Sequence, residues 1–281
     1  MWFLAGLLLG LLLGSVATVL LILRWTIPRL ERAYVFRPAR DVLRTPADLD
    51  IPYDQCFIDT RDGCRLAAWH VRPVRPVGSV IYFHGSTGNL GLLVEILGLL
   101  YRHNLQVFAF DYRGYGWSTG SPTEPGVYID AEAAARYFLA NFRTPGVPVV
   151  YWGRSLGGCI AAAAAAKVPP DGLILETTFP SKESLVREHP HFRWFRWFAP
   201  YRLETLAFLQ GHTYPILVVH GDKDRTVPLR QGQLLYQQLT PPKDFFWVPG
   251  AGHMDIHMVD TAKYMERICS FITAIKPVLV H

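Results

Sequence analysis

The sequence predicts an α/β fold with a mostly parallel central sheet and helices on both faces. Three observations carry this. From about residue 79 onward, short apolar runs rich in β-branched and aromatic residues alternate with longer helical patterns. Turn residues punctuate them at the spacing of strand–helix units, which implies parallel strands. One strand passes straight into a helix, at Gly153-Arg154-Ser155-Leu156-Gly157-Gly158.

At the N-terminus, residues 1–23 carry no charge. As a helix they reach about 34 Å, enough to cross a hydrocarbon core. A cleaved secretory signal needs a basic start and a small-residue cleavage site. Here no basic residue precedes the run, which ends in Arg24-Trp25. The expectation is a transmembrane anchor over 1–23, an irregular basic juxtamembrane link over 24–54, and an α/β domain over 55–281. Arg24, Arg29, Arg32, Arg37 and Arg40 are opposed within that flank only by Glu31. The positive-inside rule therefore puts the domain in the cytoplasm. Trp2 and Trp25 sit where interfacial anchors belong. Gly6, Gly10 and Gly14 share one helix face. They are either a contact for a homodimer or an accident of a Leu/Gly-rich run.

Residues 55–72 read as a hairpin turning at Asp62-Gly63. Strands are expected at 79–85, 107–114, 148–153, 172–179, 215–222 and 244–250. Helices are expected at Leu90–Arg102, Val127–Asn141, Leu156–Val168, Val227–Leu239 and Val259–Ile275. Of the four cysteines, Cys56 and Cys64 flank the hairpin. Pairing across that turn sets Cys64 opposite Arg61 and Cys56 near Trp69, so they do not face each other and no disulfide is expected. Cysteine and histidine spacing offers no metal site, and no cofactor is expected.

Residues 180–214 interrupt the alternation where a single helix would suffice. They contain HPHFRWFRWFAPYR, aromatic and basic at once. An insertion above the carboxyl edge of the sheet is placed to act as a lid, with Trp194, Trp197 and Phe198 as substrate-facing candidates. The competing reading is a crossover helix with a partly buried aromatic face.

The serine at the strand–helix junction defines the expected chemistry. G-x-S-x-G in this setting is a nucleophile elbow. Ser155 lies at the carboxyl end of a strand and at a helix N-terminus, whose free N–H groups favour negative charge. Its hydroxyl needs a base, and the base needs a carboxylate. His253, in Gly250-Ala251-Gly252-His253 just past a strand, is the favoured base, with His257 as an alternative. For the acid, Asp224 is preferred over Glu176, and Glu176 over Asp222. An oxyanion needs two donors. These are expected from the backbone N–H groups of Leu156 and of Ser86, in the loop after His84-Gly85.

These pieces resemble the α/β-hydrolase fold, and within it the Bem46-like group, kin to the ABHD13 and ABHD17 branches. The resemblance rests on HGSTGN (84–89), FDYRGYGWSTGSPTE (110–124), GRSLGG (153–158), ETTF (176–179), HGDKDRTVP (220–228) and GAGH (250–253). It spans residues 55 to about 275. It implies Ser155, Asp224 and His253 as the triad and Ser86 and Leu156 at the oxyanion positions. The group usually carries asparagine where this chain has Ser86. The ABHD17 branch has an N-terminal cysteine cluster for lipidation, whose place the apolar span takes here.

The expected activity is hydrolysis of an acyl ester or thioester, on a lipid, lysolipid or acylated substrate, at a membrane. A serine peptidase using the same triad is the alternative, although no acidic cluster stands ready to hold a free amino terminus. A non-catalytic binding module would need a broken triad. The net charge of +5 comes mostly from arginine, clustered in the juxtamembrane flank and in 189–202. Beside a membrane span, both clusters suit anionic lipid or solvent. No nucleic-acid motif is present.

Overall fold

The computed structural model describes residues 2–188, 200–240 and 242–277. It opens with helix α1, Trp2–Val35. The helix does not stop at the end of the apolar run, so the expected irregular link begins as helix. Arg24, Leu30, Glu31 and Arg32 are good helix formers, and Pro28 is carried inside at the loss of one backbone hydrogen bond. The stretch Gly10–Val35 has a mean hydropathy of 1.9 and almost no buried surface, so it is long and apolar enough to cross a membrane. Among the described residues its last turns dock: Ile27, Glu31 and the following Phe36 are buried.

The main sheet has eight strands: β2 (Asp54–Asp59), β3 (Arg65–Val71), β4 (Gly78–Phe83), β6 (Leu105–Phe110), β7 (Val149–Arg154), β8 (Gly172–Glu176), β9 (Ile216–Gly221) and β10 (Lys243–Val248). Their spatial order is β10-β9-β8-β7-β4-β6-β3-β2. The six from β10 to β6 are parallel, and the β2–β3 hairpin closes one side antiparallel. A separate short pair joins β1 (Arg37–Pro38) to β5 (Thr87–Gly88). The central parallel strands are buried along their whole length. That is why they read as continuous apolar runs rather than alternating ones.

Helices α2 (Val94–Arg102) and α8 (Thr261–Ala274) pack on one face with Trp69, Trp152 and Val219. Helices α3 (Glu124–Asn141), α4 (Leu156–Ala165) and α7 (Leu229–Gln238) cover the other with Phe83, Phe108 and Leu175. All of α4 is buried. A helix buried all round must be apolar on every side, and its alanines keep it thin enough to lie between the sheet and its neighbours.

Two local expectations change. The stretch expected as one helix from Leu90 begins as a 3-10 turn, Leu90–Leu93, because Asn89 caps it by accepting from the Gly91 N–H. The hairpin register is one residue off. Thr60 N–H donates to Cys64 O, and Cys56 stands opposite Ala68. The loop is longer than two residues: Thr60 Oγ1 accepts from Cys64 N–H and donates to Asp62, and Gly63 takes φ 84°. The four cysteines are free.

Within the 180–214 insertion, the described parts are α5 (Lys182–Arg187), α6 (Thr205–Phe208) and the turns beside them. The lid candidates Trp194, Trp197 and Phe198 lie outside the described residues.

Candidate active site

From β4 the chain moves to β6 on one side, then returns to β7 on the other. The strand order reverses there, and ligands bind at such a point outside the carboxyl ends of the strands. β7 ends on Arg154, and Ser155 turns the chain into α4 with φ 54° and ψ −121°. A non-glycine residue held there stores about 1–3 kcal/mol of strain. The fold holds it with three bonds: Ser155 N–H to Glu176 O at 2.9 Å, Gly158 N–H to Ser155 O at 2.9 Å, and Thr178 Oγ1 to Ser155 O at 2.7 Å.

Both flanking glycines are required by close approach. A Cβ at Gly153 would collide with Gly157 O, and one at Gly157 would collide with the Phe83 carbonyl. Since both obstacles are backbone, Gly157→Ala is expected to lower Tm by about 5 °C, from roughly 1–3 kcal/mol of overpacking. Thermal unfolding by circular dichroism reads this. An unchanged Tm would mean that the elbow has slack.

His253 lies in the loop after β10 and joins the serine to the acid. Its Nδ1 is 2.7 Å from Asp224 Oδ2, and its Nε2 is 3.1 Å from Ser155 Oγ. An ionised carboxylate only accepts, so Nδ1–H donates to Asp224 and Nε2 is left to accept from the serine hydroxyl. Asp224 is buried. Its Oδ1 accepts from the N–H groups of Thr226 and Val227, each at 2.8 Å, which aims Oδ2 at the imidazole. Beside it, buried His220 donates from Nε2 to Val227 O at 2.8 Å, and burial pushes its pKa down, which keeps it neutral.

The alternative acids are engaged elsewhere. Asp222 accepts from Gly250 N–H at 2.6 Å and ties the loop after β9 to the turn that carries His253. Glu176 accepts from Tyr264 Oη and faces Arg154 Nε at 3.4 Å. His257 is half-buried, and burial lowers its pKa. Among the described residues, no hydrogen bond joins it to Ser155 or Asp224.

The loop after β4 comes close to the serine: a Cβ on Gly85 would sit 3.7 Å from both Ser155 Cβ and Arg154 O. The Ser86 carbonyl accepts from Arg37 N–H at 2.9 Å and Tyr115 Oη at 2.8 Å. Ser86 lies in this loop, and Leu156 directly follows Ser155 as the first residue of α4. Underneath, His84 and Asp111 are buried together with Nε2 and Oδ1 3.4 Å apart, and burial raises the Asp111 carboxyl. Tyr112 Oη donates to His84 O at 2.9 Å.

Sequence reasoning missed Arg154. Its Nη2 donates to the His253 carbonyl at 2.7 Å, so the residue before the serine also holds the histidine loop. The signal was a charge ending an otherwise apolar buried strand, which demands a buried partner. It also missed Arg37, whose backbone N–H binds Ser86 O and whose Nη2 donates to Ser86 Oγ at 3.2 Å.

Strand order and site together define an α/β-hydrolase. A family model described as serine aminopeptidase, S33, matches residues 74–211. Protein bem46 of Schizosaccharomyces pombe is 30% identical over 249 residues, which cover 83% of this chain and 81% of that one. An uncharacterized membrane protein of Saccharomyces cerevisiae is 31% identical over 241 residues, covering 83% and 84%. Alpha/beta hydrolase domain-containing protein 17B of Homo sapiens is 28% identical over 222 residues, covering 78% and 75%. An esterase of Pyrococcus furiosus has the same fold, with a TM-score of 0.71 and 20% identity over 86% of this chain and 98% of that one. The chain belongs to the Bem46/ABHD-like family of α/β-hydrolases.

Proposed function

We propose that this hydrolase is a membrane-anchored serine esterase or thioesterase that works through an acyl-enzyme. The observation that carries the reading is the unbroken line from Ser155 Oγ through His253 to Asp224. In the first half-reaction, Ser155 Oγ attacks the acyl carbon and its proton passes to His253 Nε2. Asp224 holds Nδ1–H and stabilises the imidazolium. The carbonyl oxygen takes up the negative charge against the N–H groups of Ser86 and Leu156. The leaving alcohol or thiol departs with the proton from Nε2. Water then attacks the acyl-serine, gives its proton to His253, and releases the acid as the proton returns to Ser155. The test is labelling with a fluorophosphonate probe. The wild type is expected to be labelled on Ser155 and Ser155→Ala to remain unlabelled.

The family model's description supports a peptidase as a second reading. Parallel assays on an acyl p-nitrophenyl ester and an aminoacyl p-nitroanilide separate the two. Turnover of the anilide above the ester would favour the peptidase.

The anchor is residues 1–23, with the arginine flank and catalytic domain in the cytoplasm. Exposed Gly6, Gly10 and Gly14 offer one face of α1 to a second copy. The substrate is a long-chain acyl compound. Trp194, Trp197 and Phe198, outside the described residues, are its substrate-facing candidates, and each methylene that such a substrate buries contributes about 0.8 kcal/mol. Deleting residues 1–23 leaves the docked turns from Ile27 onward in place. We expect this deletion to keep short-ester kcat/KM within about two-fold and to lower turnover of vesicle-embedded esters by about ten-fold or more. Replacing Trp194 and Trp197 with alanine should flatten the preference from acetyl to palmitoyl esters. A strict short-chain preference that anionic vesicles do not change would defeat the lipid reading while leaving the esterase intact.

A further inference from the structure

We propose that the carboxyl edge of the sheet, with the active-site mouth in it, faces the bilayer, and that Leu92, Met254, Met258 and Val259 dip into the headgroup region beside it. The proposal rests on the membrane reading of α1 and not on the chemistry of the triad.

The first support is where α1 joins the domain. Arg37 N–H bonds Ser86 O and Ala39 N–H bonds Gly88 O, both in the loop leaving β4. Glu31 takes Lys182 Nζ at 2.6 Å and the Tyr201 N–H at 3.1 Å, in the segment leaving β8. β4 and β8 run parallel to β7, β9 and β10, whose carboxyl ends carry Ser155, Asp224 and His253. The helix therefore meets the domain on its catalytic edge.

The second support is distance. Glu31 lies eight residues beyond Leu23, the end of the apolar run. In a helix this is about 12 Å. A flexible link would have let the domain stand far off. A continuous helix docked through Ile27, Glu31 and Phe36 holds that edge within reach of the headgroups.

The third support is asymmetry. Met254, next to His253, is 66% exposed, Met258 62%, Val259 45%, and Leu92, after β4, 65%. On the opposite edge, among the described residues, the corresponding exposed apolar side chains are Val74 and Val77, before β4. The exposed acidic groups near the histidine loop, Asp222, Asp255 and Asp260, each accept a backbone N–H, from Gly250, Gly252 and Lys263. Exposed arginines of the helix and its flank, Arg29 and Arg37 among them, supply positive charge toward an anionic leaflet. Methionine adapts its shape to an irregular apolar surface, which suits such a rim.

The experiment uses the full chain in liposomes of phosphatidylcholine and phosphatidylserine, with brominated acyl chains as quencher. A thiol-reactive fluorophore is placed by Leu92→Cys, Met254→Cys, Met258→Cys and Val74→Cys. Leu20→Cys serves as a marker within the span, and the unmodified chain corrects for labelling of its own cysteines. Insertion of the rim predicts about two-fold or greater excess quenching at the three rim positions over Val74→Cys. Quenching at Leu20→Cys with none at the rim would overturn the proposal and spare the anchor. No quenching at Leu20→Cys would overturn both. Label self-quenching that rises with protein density, without lipid quenching, would assign the edge to a second copy and overturn the proposal. Fluorophosphonate labelling of each variant reports separately on the triad.

Discussion

Ser155→Ala is expected to reduce turnover of an activated acyl ester by on the order of 10^5-fold, with Tm unchanged or slightly raised. The hydroxyl is the only atom removed, and it leaves no cavity of consequence. Its removal ends the covalent route and frees His253 Nε2, now 3.1 Å from an absent partner. The left-handed backbone at φ 54° is held by bonds to Glu176, Gly158 and Thr178 that involve only Ser155 main-chain atoms, so the elbow should persist. His253→Ala should be about as damaging, and the double variant no worse than either single one, because both act on one proton transfer. His257→Ala should be mild. Steady-state kinetics on a p-nitrophenyl ester settles the matter. Full activity in Ser155→Ala would sink the mechanism. Collapse in His257→Ala with survival of His253→Ala would move the base.

The second large effect is expected at Asp224. Asp224→Asn should lower kcat by about 10^3- to 10^4-fold with little loss of fold. The isosteric amide can keep one oxygen on the Thr226 and Val227 N–H groups. Its nitrogen then faces His253 Nδ1, which must become an acceptor. The proton moves to Nε2, where the serine needs a base. Asp222→Asn should cost far less, since that carboxylate supports a turn. Glu176→Gln should also stay within about ten-fold, because Glu176 acts through Arg154 and the backbone of the histidine loop. If Glu176→Gln collapses activity while Asp224→Asn spares it, the acid belongs to β8.

Much of this molecule is legible one residue at a time. The parallel strands could be read because both faces are buried, which forces unbroken apolar runs. The elbow could be read because only glycine fits at 153 and 157. His253 could be read because chain order and a Gly-rich loop after a strand leave few rivals. The hairpin register slipped by one residue because turn length depends on side-chain bonds within the loop, here Thr60 to Cys64 and Asp62. The helix runs past the apolar run to Val35 because arginine and glutamate continue one well, so the end of the uncharged stretch does not mark the end of α1.

The sequence by itself determined the fold class, the apolar N-terminal helix and the identities of a serine, a histidine and a short list of acids. Those properties reside in local pattern: burial periodicity, an uncharged run, and residue types that only certain backbone shapes accept. Only the tertiary structure shows which of Asp224, Glu176 and Asp222 meets His253, for three carboxylates near strand ends look alike until their partners are known. Asp224 meets His253, Glu176 meets Arg154 and Tyr264, and Asp222 meets the Gly250 N–H. It also decided that the helix after the apolar run binds the loop of Ser86 and the segment of Lys182. Contacts such as Glu31 to Lys182 join residues far apart in the chain, and no local pattern encodes which distant atoms a fold will bring within hydrogen-bond reach.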